Sequence, residues 1–355
     1  MKMKIIGKDT HCLDQMPVVK AAWTNSRHLD DTPVEQLYGI DAPVADFASV
    51  TLDVQCTIIE REIICTFRDH IVWARTSRVD DPADFEIDEH FDYDCYAQYK
   101  LKMQFERSKG VSQDTYRMSL PVVALTRLTM KISARSLVKL MRAFHYIGAT
   151  DQLFYDAAVE CQRVYREAFG HEPPESIKYV ELFPDIAEGS STGVAGDQVV
   201  VSAHVPIALR AQMIRHRALY TKTNKTDLFY DYEDNTIGTP VMIQASGDRS
   251  VWEDLIAKRA CWMAQADLWA PLLNRVSRML GIETRALPCK NGSCPYDKDA
   301  QLRYTSADPG APCPMHSVLT STKIEDFNPI HDQMVREQRP HFWMNIIQRS
   351  QEISK

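Results

Sequence analysis

The chain has no excess of positive charge. Its formal charge is −7 over 355 residues, which argues against a general nucleic-acid binder, because such proteins carry a basic surplus to meet phosphates. Any anion site must therefore be local. No run of about 18 apolar residues occurs, and the opening stretch MKMKIIGKDTHC lacks a long apolar core of the kind found in secretory leaders. These absences predict a cytoplasmic protein without membrane contact. A disulfide framework is missing too. The nine cysteines are odd in number and irregularly spaced, which suits reduced thiols. There is no low-complexity tract.

What is present suits a globular protein. Hydrophobic residues make up 45% and charged residues 25%, and the length suffices for two domains with their own cores. Residues 47–59 alternate as a strand should, and 60–74 suit a helix. Helices are also predicted over 93–108, 133–146 and 150–169. In the second of these Leu137, Leu140, Met141 and Phe144 share one face. Gly170, Pro173 and Pro174 then stop the helix, so residues 168–176 read as a connection, as do the turn-rich residues 297–315. Residues 197–205 read as a strand. Pro206 suits the first turn of a following helix, 206–217. A long helical stretch, 248–280, is expected to break or kink at Pro271.

A strand leading into a helix that ends in an Arg/His-rich triplet occurs twice, at 47–70 and at 194–217. The triplets Arg68-Asp69-His70 and Arg215-His216-Arg217 stand 147 residues apart. Internal duplication explains this order, and so does chance similarity of two strand–helix units.

Three constellations carry chemistry. Arg135, Lys139 and Arg142 are spaced i, i+4, i+7 and so line one helix face. Like charges there weaken a helix unless an anion opposes them; the face is either an anion site or a solvated basic surface. Arg215 and Arg217 would point to opposite sides of a continuous helix, so they meet one ligand only if the helix ends there or if they serve different phosphates or subunits. Ordinary surface arginines are the other reading. Cys289, Cys294, Cys313 and His316 have the donor types for tetrahedral zinc in a loop lacking its own core; free cysteines are the alternative. By contrast, residues 78–94 hold eight carboxylates, which would repel a phosphate near Arg68-Asp69-His70.

The second half resembles the flavin-dependent thymidylate synthases, whose signature is R-H-R, then seven residues and a serine. It follows a strand, a proline and a helix with a glutamine three residues before the first arginine. Pro206, Gln212, Arg215, His216 and Arg217 match that pattern, whereas Lys225 occupies the serine position and Asp227 that of a nucleotide-holding arginine. The first half resembles the family's C-terminal block through KGVSQDTYRMSLP and ARSLVKLM. Arg117 matches a substrate-contacting arginine and Arg135 the second motif's arginine. Ser133 and Lys139 stand where the family often has flavin-contacting asparagines, and Phe144 replaces another substrate arginine. Cys65 takes the glutamine's place in the first half, and residues 282–292 echo the L-P block in the second.

The resemblance implies an α+β fold of two tandem related units, each a small antiparallel sheet with long helices. The divisions expected are 1–172, 173–288, and an extension 289–355 with the zinc loop. It implies FAD as cofactor, methylenetetrahydrofolate as one-carbon donor, and methylation or hydroxymethylation at C5 of dUMP or an analogue. Arg117 and Arg217 would be catalytic. Ser133, Arg135, Lys139, Arg215, His216 and Arg217 would hold the cofactor. Arg117, Gln212, Arg142 and Lys225, with Lys222 as a further phosphate contact, would hold the substrate. Because family sites draw on several subunits, the two halves are expected to share one composite site, and the chain to form a homodimer. An inactive scaffold that binds nucleotide or flavin and partners another protein is the rival reading.

Overall fold

The structure, a computed structural model, describes residues 1–9, 46–67, 70–74, 81–87, 91, 93–109, 116–175, 177, 183, 186, 192–259 and 266–281. It is α+β, with two four-stranded antiparallel sheets and helices. Strand β1 (Lys2–Asp9), β2 (Ser49–Thr57), β3 (His70–Ala74) and β4 (Leu125–Ser133) form one sheet in the order β1-β2-β4-β3. Strand β5 (Gly193–Ala195), β6 (Gln198–Pro206), β7 (Tyr220–Thr223) and β8 (Pro240–Asp248) form the other, in the order β5-β6-β8-β7.

Each sheet is organised on one long central pair. β2 pairs with β4 from Ser49 opposite Ser133 to Thr57 opposite Leu125, and β6 with β8 from Gln198 opposite Asp248 to Pro206 opposite Pro240. In β4 every second residue is buried, and β8 repeats that alternation. One face therefore meets a core, which fixes the register: a slip of one residue would turn Leu128, Met130 and Ile132, all buried, to solvent.

A helix leaves each inner strand at once. Helix α1 (Ile58–Thr66) follows β2, and its first turn is tied down by Ile58 N–H to Ala124 O and Ile59 N–H to Val122 O, both 2.9 Å. Beyond α2 (Tyr93–Ser108), β4 runs into α3 (Ala134–Ile147), which packs on α4 (Gln152–Phe169). Leu137, Leu140, Met141 and Phe144 of α3 are buried as their spacing predicts, with Phe154, Cys161 and Tyr165 of α4. Each buried leucine, methionine or phenylalanine among them stabilises the fold by roughly 1.5–3 kcal/mol.

In the second sheet α5 (Ile207–Met213) leaves β6, tied by Ile207 N–H to Thr239 O at 3.0 Å and Ala208 N–H to Ile237 O at 2.8 Å. After α6 (Lys225–Phe229), β8 runs into α7 (Arg249–Arg259), and α8 (Ala266–Leu280) closes the described chain. Buried Trp252, Trp269, Leu272 and Val276 line this core.

Four expectations need correction. The helix expected over 60–74 ends at Thr66, and His70–Ala74 is a strand, because Val72 and its neighbours pair with β4. Pro206 is the N-cap of its helix rather than its first residue, and that helix stops at Met213, not 217. Pro271 breaks nothing: α8 runs through it.

The fourth concerns spacing. Strand register makes the two sheets correspond at a constant 149 residues, from Thr57 and Pro206 at the helix starts to Ile71 and Tyr220, which face Lys131 and Ser246. The positions matching Arg215, His216 and Arg217 are therefore Thr66, Phe67 and Arg68. Gln212 matches Ile63, not Cys65. Along β4 and β8 the spacing is 115 (Leu125 to Pro240), so α7 stands where α3 stands, and the segment matching the L-P block precedes Pro240. Residues 282–292 lie outside the described residues.

The chain divides into two compact units. Unit 1 holds Met1–Gln98, Pro121–Pro184 and Asp231–Asn235; unit 2 holds Tyr99–Leu120, Asp185–Tyr230 and the chain from Thr236 on. Each unit thus takes in a piece that precedes the other's inner strand. Both pieces contain a 3-10 turn near their end, Arg117–Ser119 in unit 2 and Tyr232–Asp234 in unit 1. The first is held by Ile237 N–H to Leu120 O at 2.8 Å and Gly238 N–H to Met118 O at 3.0 Å; the second by Val122 N–H to Asn235 O at 3.0 Å.

Two substitutions test these anchors. Thr57 and Glu60 cap α1 reciprocally, so Thr57→Ala should lower stability by about 1–2 kcal/mol in urea unfolding. At Gly238 a Cβ would lie 2.7 Å from the Met118 carbonyl oxygen, so Gly238→Ala should lower stability by about 1–3 kcal/mol and displace the turn that carries Arg117.

Candidate functional site

Unit 2 carries Arg117 together with Gln212, Arg215, His216, Arg217 and Lys225. The triplet lies past the end of α5, where the chain tightens through Arg215 N–H to Gln212 O (3.3 Å) and His216 N–H to Met213 O (3.0 Å). Such short-range bonds satisfy the carbonyls that a finished helix leaves over. The helix has ended, so the objection that Arg215 and Arg217 must diverge does not apply. Both are exposed, and His216 is half-buried.

Trp269 of α8 is fully buried and holds two of these residues. Its indole N–H donates to Gln212 Oε1 at 2.9 Å, and its ring meets His216 edge-on, with centroids 5.8 Å apart. Two residues before Gln212, Arg210 is fully buried and donates from Nε to Thr223 Oγ1 at 2.8 Å. Sequence reasoning did not single out Arg210. The corresponding position in unit 1 is Arg61, also buried, whose guanidinium reaches Glu62 Oε1 at 2.8 Å. Arginine is rarely buried without partners, so a buried arginine at the same place in both helices is a signal visible only once register is known.

Arg117 opens its 3-10 turn and is 5% exposed. A guanidinium so removed from water acts more strongly on a nearby charge than an exposed one, because the surrounding dielectric is lower. Lys225 begins α6, which Asn224 caps by accepting from Thr226 N–H. Asp227 is engaged in the fold: Oδ2 accepts the Met242 N–H at 2.8 Å.

The other expected residues belong to unit 1. Ser133 caps α3, accepting from Ser136 N–H at 3.1 Å, and donates to Asp46 Oδ1 at 2.9 Å. Arg135 lies 3.5 Å from the same carboxylate. Lys139 and Arg142 follow half-buried along that helix. An anion arriving at this face competes with Asp46 for Arg135. Cys289, Cys294, Cys313 and His316 lie outside the described residues, as do Arg68 and Asp69. Among the described residues no group of three metal-binding side chains occurs, and no helix is long and apolar enough to cross a membrane.

A groove of about 470 Å³ in unit 1 contains none of the expected site residues. Lys2, Lys4 and Arg127 line it together with Asp53, Asp84 and Glu86. The Arg127 guanidinium is hydrogen-bonded to Asp53 and holds that carboxyl below its ordinary range. Charges of both signs neutralise one another here, so the groove offers no net attraction to a phosphate.

No family model matches the chain, and no curated protein matches it. Among solved structures it is similar to the crystal structure of a UMP/dUMP methylase PolB from Streptomyces cacaoi bound with 5-Br dUMP. That similarity covers 47% of this chain and 90% of that one, at 15% identity and a TM-score of 0.36.

Proposed function

We propose that the chain is a diverged, internally duplicated relative of the flavin-dependent thymidylate synthases and adds a one-carbon unit to C5 of dUMP or a close analogue. One observation carries this reading. Arg117, from the L-P block of the first half, belongs to the same compact unit as Gln212, Arg215, His216 and Arg217 of the second. The two motifs that resemble opposite ends of one family thereby occur in one unit. Equal strand order and constant register spacing support the duplication, with 1–172 and 173–288 as the two copies and 289–355 as an extension that binds zinc through Cys289, Cys294, Cys313 and His316.

On this reading Arg117 contacts the pyrimidine nucleotide and, from its buried position, stabilises negative charge as C5 becomes nucleophilic. Gln212, fixed by Trp269, orients the base, and Lys225 with Lys222 meets the substrate phosphate in place of the motif serine. Arg215, Arg217 and His216 offer charge-assisted donors suited to a dinucleotide's phosphates, so the residues present fit FAD. Ser133, Arg135, Lys139 and Arg142 form a further anion-binding face. The one-carbon unit of methylenetetrahydrofolate is at the methylene level: a methyl product requires a hydride, which bound flavin supplies, and a hydroxymethyl product requires water instead.

Asp227 favours a second reading. A carboxylate stands where the family has an arginine, and its bond to Met242 N–H commits it to the fold. A scaffold that has given up catalysis would tolerate that exchange.

Purified protein that is yellow, and that converts dUMP with methylenetetrahydrofolate and reduced flavin into a product heavier by one methyl or hydroxymethyl group, is the expected result. Arg117→Ala and Arg217→Ala should each lower kcat/KM by about 10²–10³-fold. Colourless protein that takes up no flavin and binds dUMP without converting it would leave the scaffold reading standing.

A further inference from the structure

We infer that Tyr232 seals the counterpart of the Arg117 position, so that each chain binds one pyrimidine nucleotide rather than two. The inference rests on the proposed function for the identity of the ligand.

The spacing of 115 residues that relates Leu125 to Pro240 also relates the two 3-10 turns, Arg117–Ser119 and Tyr232–Asp234. Their anchors are exchanged in the same way: Val122 N–H donates to Asn235 O, and Ile237 N–H, at the matching position, donates to Leu120 O. Arg117 and Tyr232 therefore occupy the same place in units 2 and 1. What they do there differs. Tyr232 is 4% exposed, its ring lies 5.3 Å from that of Phe154 and 6.3 Å from that of Phe91, and its hydroxyl donates to Asp151 Oδ1 at 3.4 Å. The place is filled by an aromatic ring packed on aromatics, with a carboxylate beside its polar end. A nucleotide entering there would displace that packing, lose a guanidinium and meet a negative charge, each unfavourable for an anion.

Arg210 and Arg217 have arginine counterparts in Arg61 and Arg68, but the other cationic positions are single. Ser250, Asp254 and Ala257 of α7 stand where α3 has Arg135, Lys139 and Arg142, and Thr66 and Phe67 stand where Arg215 and His216 do. In each of these pairs a single member can carry positive charge. Fusion of two copies has let one of the paired pockets become core.

Calorimetric titration of the full chain with dUMP should saturate at one equivalent. Tyr232→Phe, which keeps the packing, should leave that stoichiometry and affinity unchanged, whereas Arg117→Met should weaken binding at least about tenfold, one well-made charged contact being of that order. Circular dichroism establishes that each variant is folded. Two equivalents per chain, or loss of binding in Tyr232→Phe, would overturn the inference while leaving the proposed function intact; no binding to the unaltered chain would remove both.

A second readout needs no ligand. Burial, and then the Asp151 carboxylate, push the Tyr232 phenol above its ordinary range. An unfolded tyrosine ionises near ~10, so the folded state holds this proton more tightly. Its stabilisation is complete below that pH and is lost as pH rises further. Unaltered protein should therefore lose stability above about pH 10 more steeply than Tyr232→Phe. Equal alkaline profiles would show a solvent-facing phenol and overturn the sealed pocket.

Discussion

Backbone pairing between a strand and its antiparallel neighbour, held over nine residues without a slip, is the constraint on which each half of this protein depends. Because only one face of each pair is apolar, the pairing admits a single register. That register decides where the next helix starts, since the carbonyls just before β4 and β8 receive the first N–H groups of α1 and α5. It also decides where the helix must stop and return as an outer strand. The Arg215–Arg217 triplet lies in that return, a place where cations can be exposed without disturbing the core.

Much of this was legible in the residues. The α3 stripe of Leu137, Leu140, Met141 and Phe144 announced a buried face, and β6 announced itself by its run of valines. Positions of special backbone chemistry were read less well. The helix expected to continue to residue 74 stops at Thr66 because β3 gains more by pairing with β4 than by extending a helix, a tertiary preference that local periodicity does not contain. Pro271 predicts a break or a kink, yet α8 continues unbroken through it.

The pattern of arginines was legible only in part. Arg215-His216-Arg217 invites alignment with Arg68-Asp69-His70 because the residue types match, but strand register shifts that match by two positions and brings Arg210 and Arg61 together instead. Residue identity and structural place have parted company here. The motif marks Arg117 but not its burial, which goes with the close approach that Gly238 permits. A composition-based reading has no access to an approach of two backbones distant in sequence.

Neither compact unit is assembled from one continuous length of polypeptide: unit 1 needs residues 231–235, and unit 2 needs 99–120. Two separate polypeptides exchanging such pieces would meet only as often as their abundance allowed. Carried on one chain, the pieces are present at a fixed local concentration, so completion of both units is independent of expression level. The same covalent link ensures that a change on one side is always matched with the same partner sequence on the other. The two sides are then free to drift apart in chemistry.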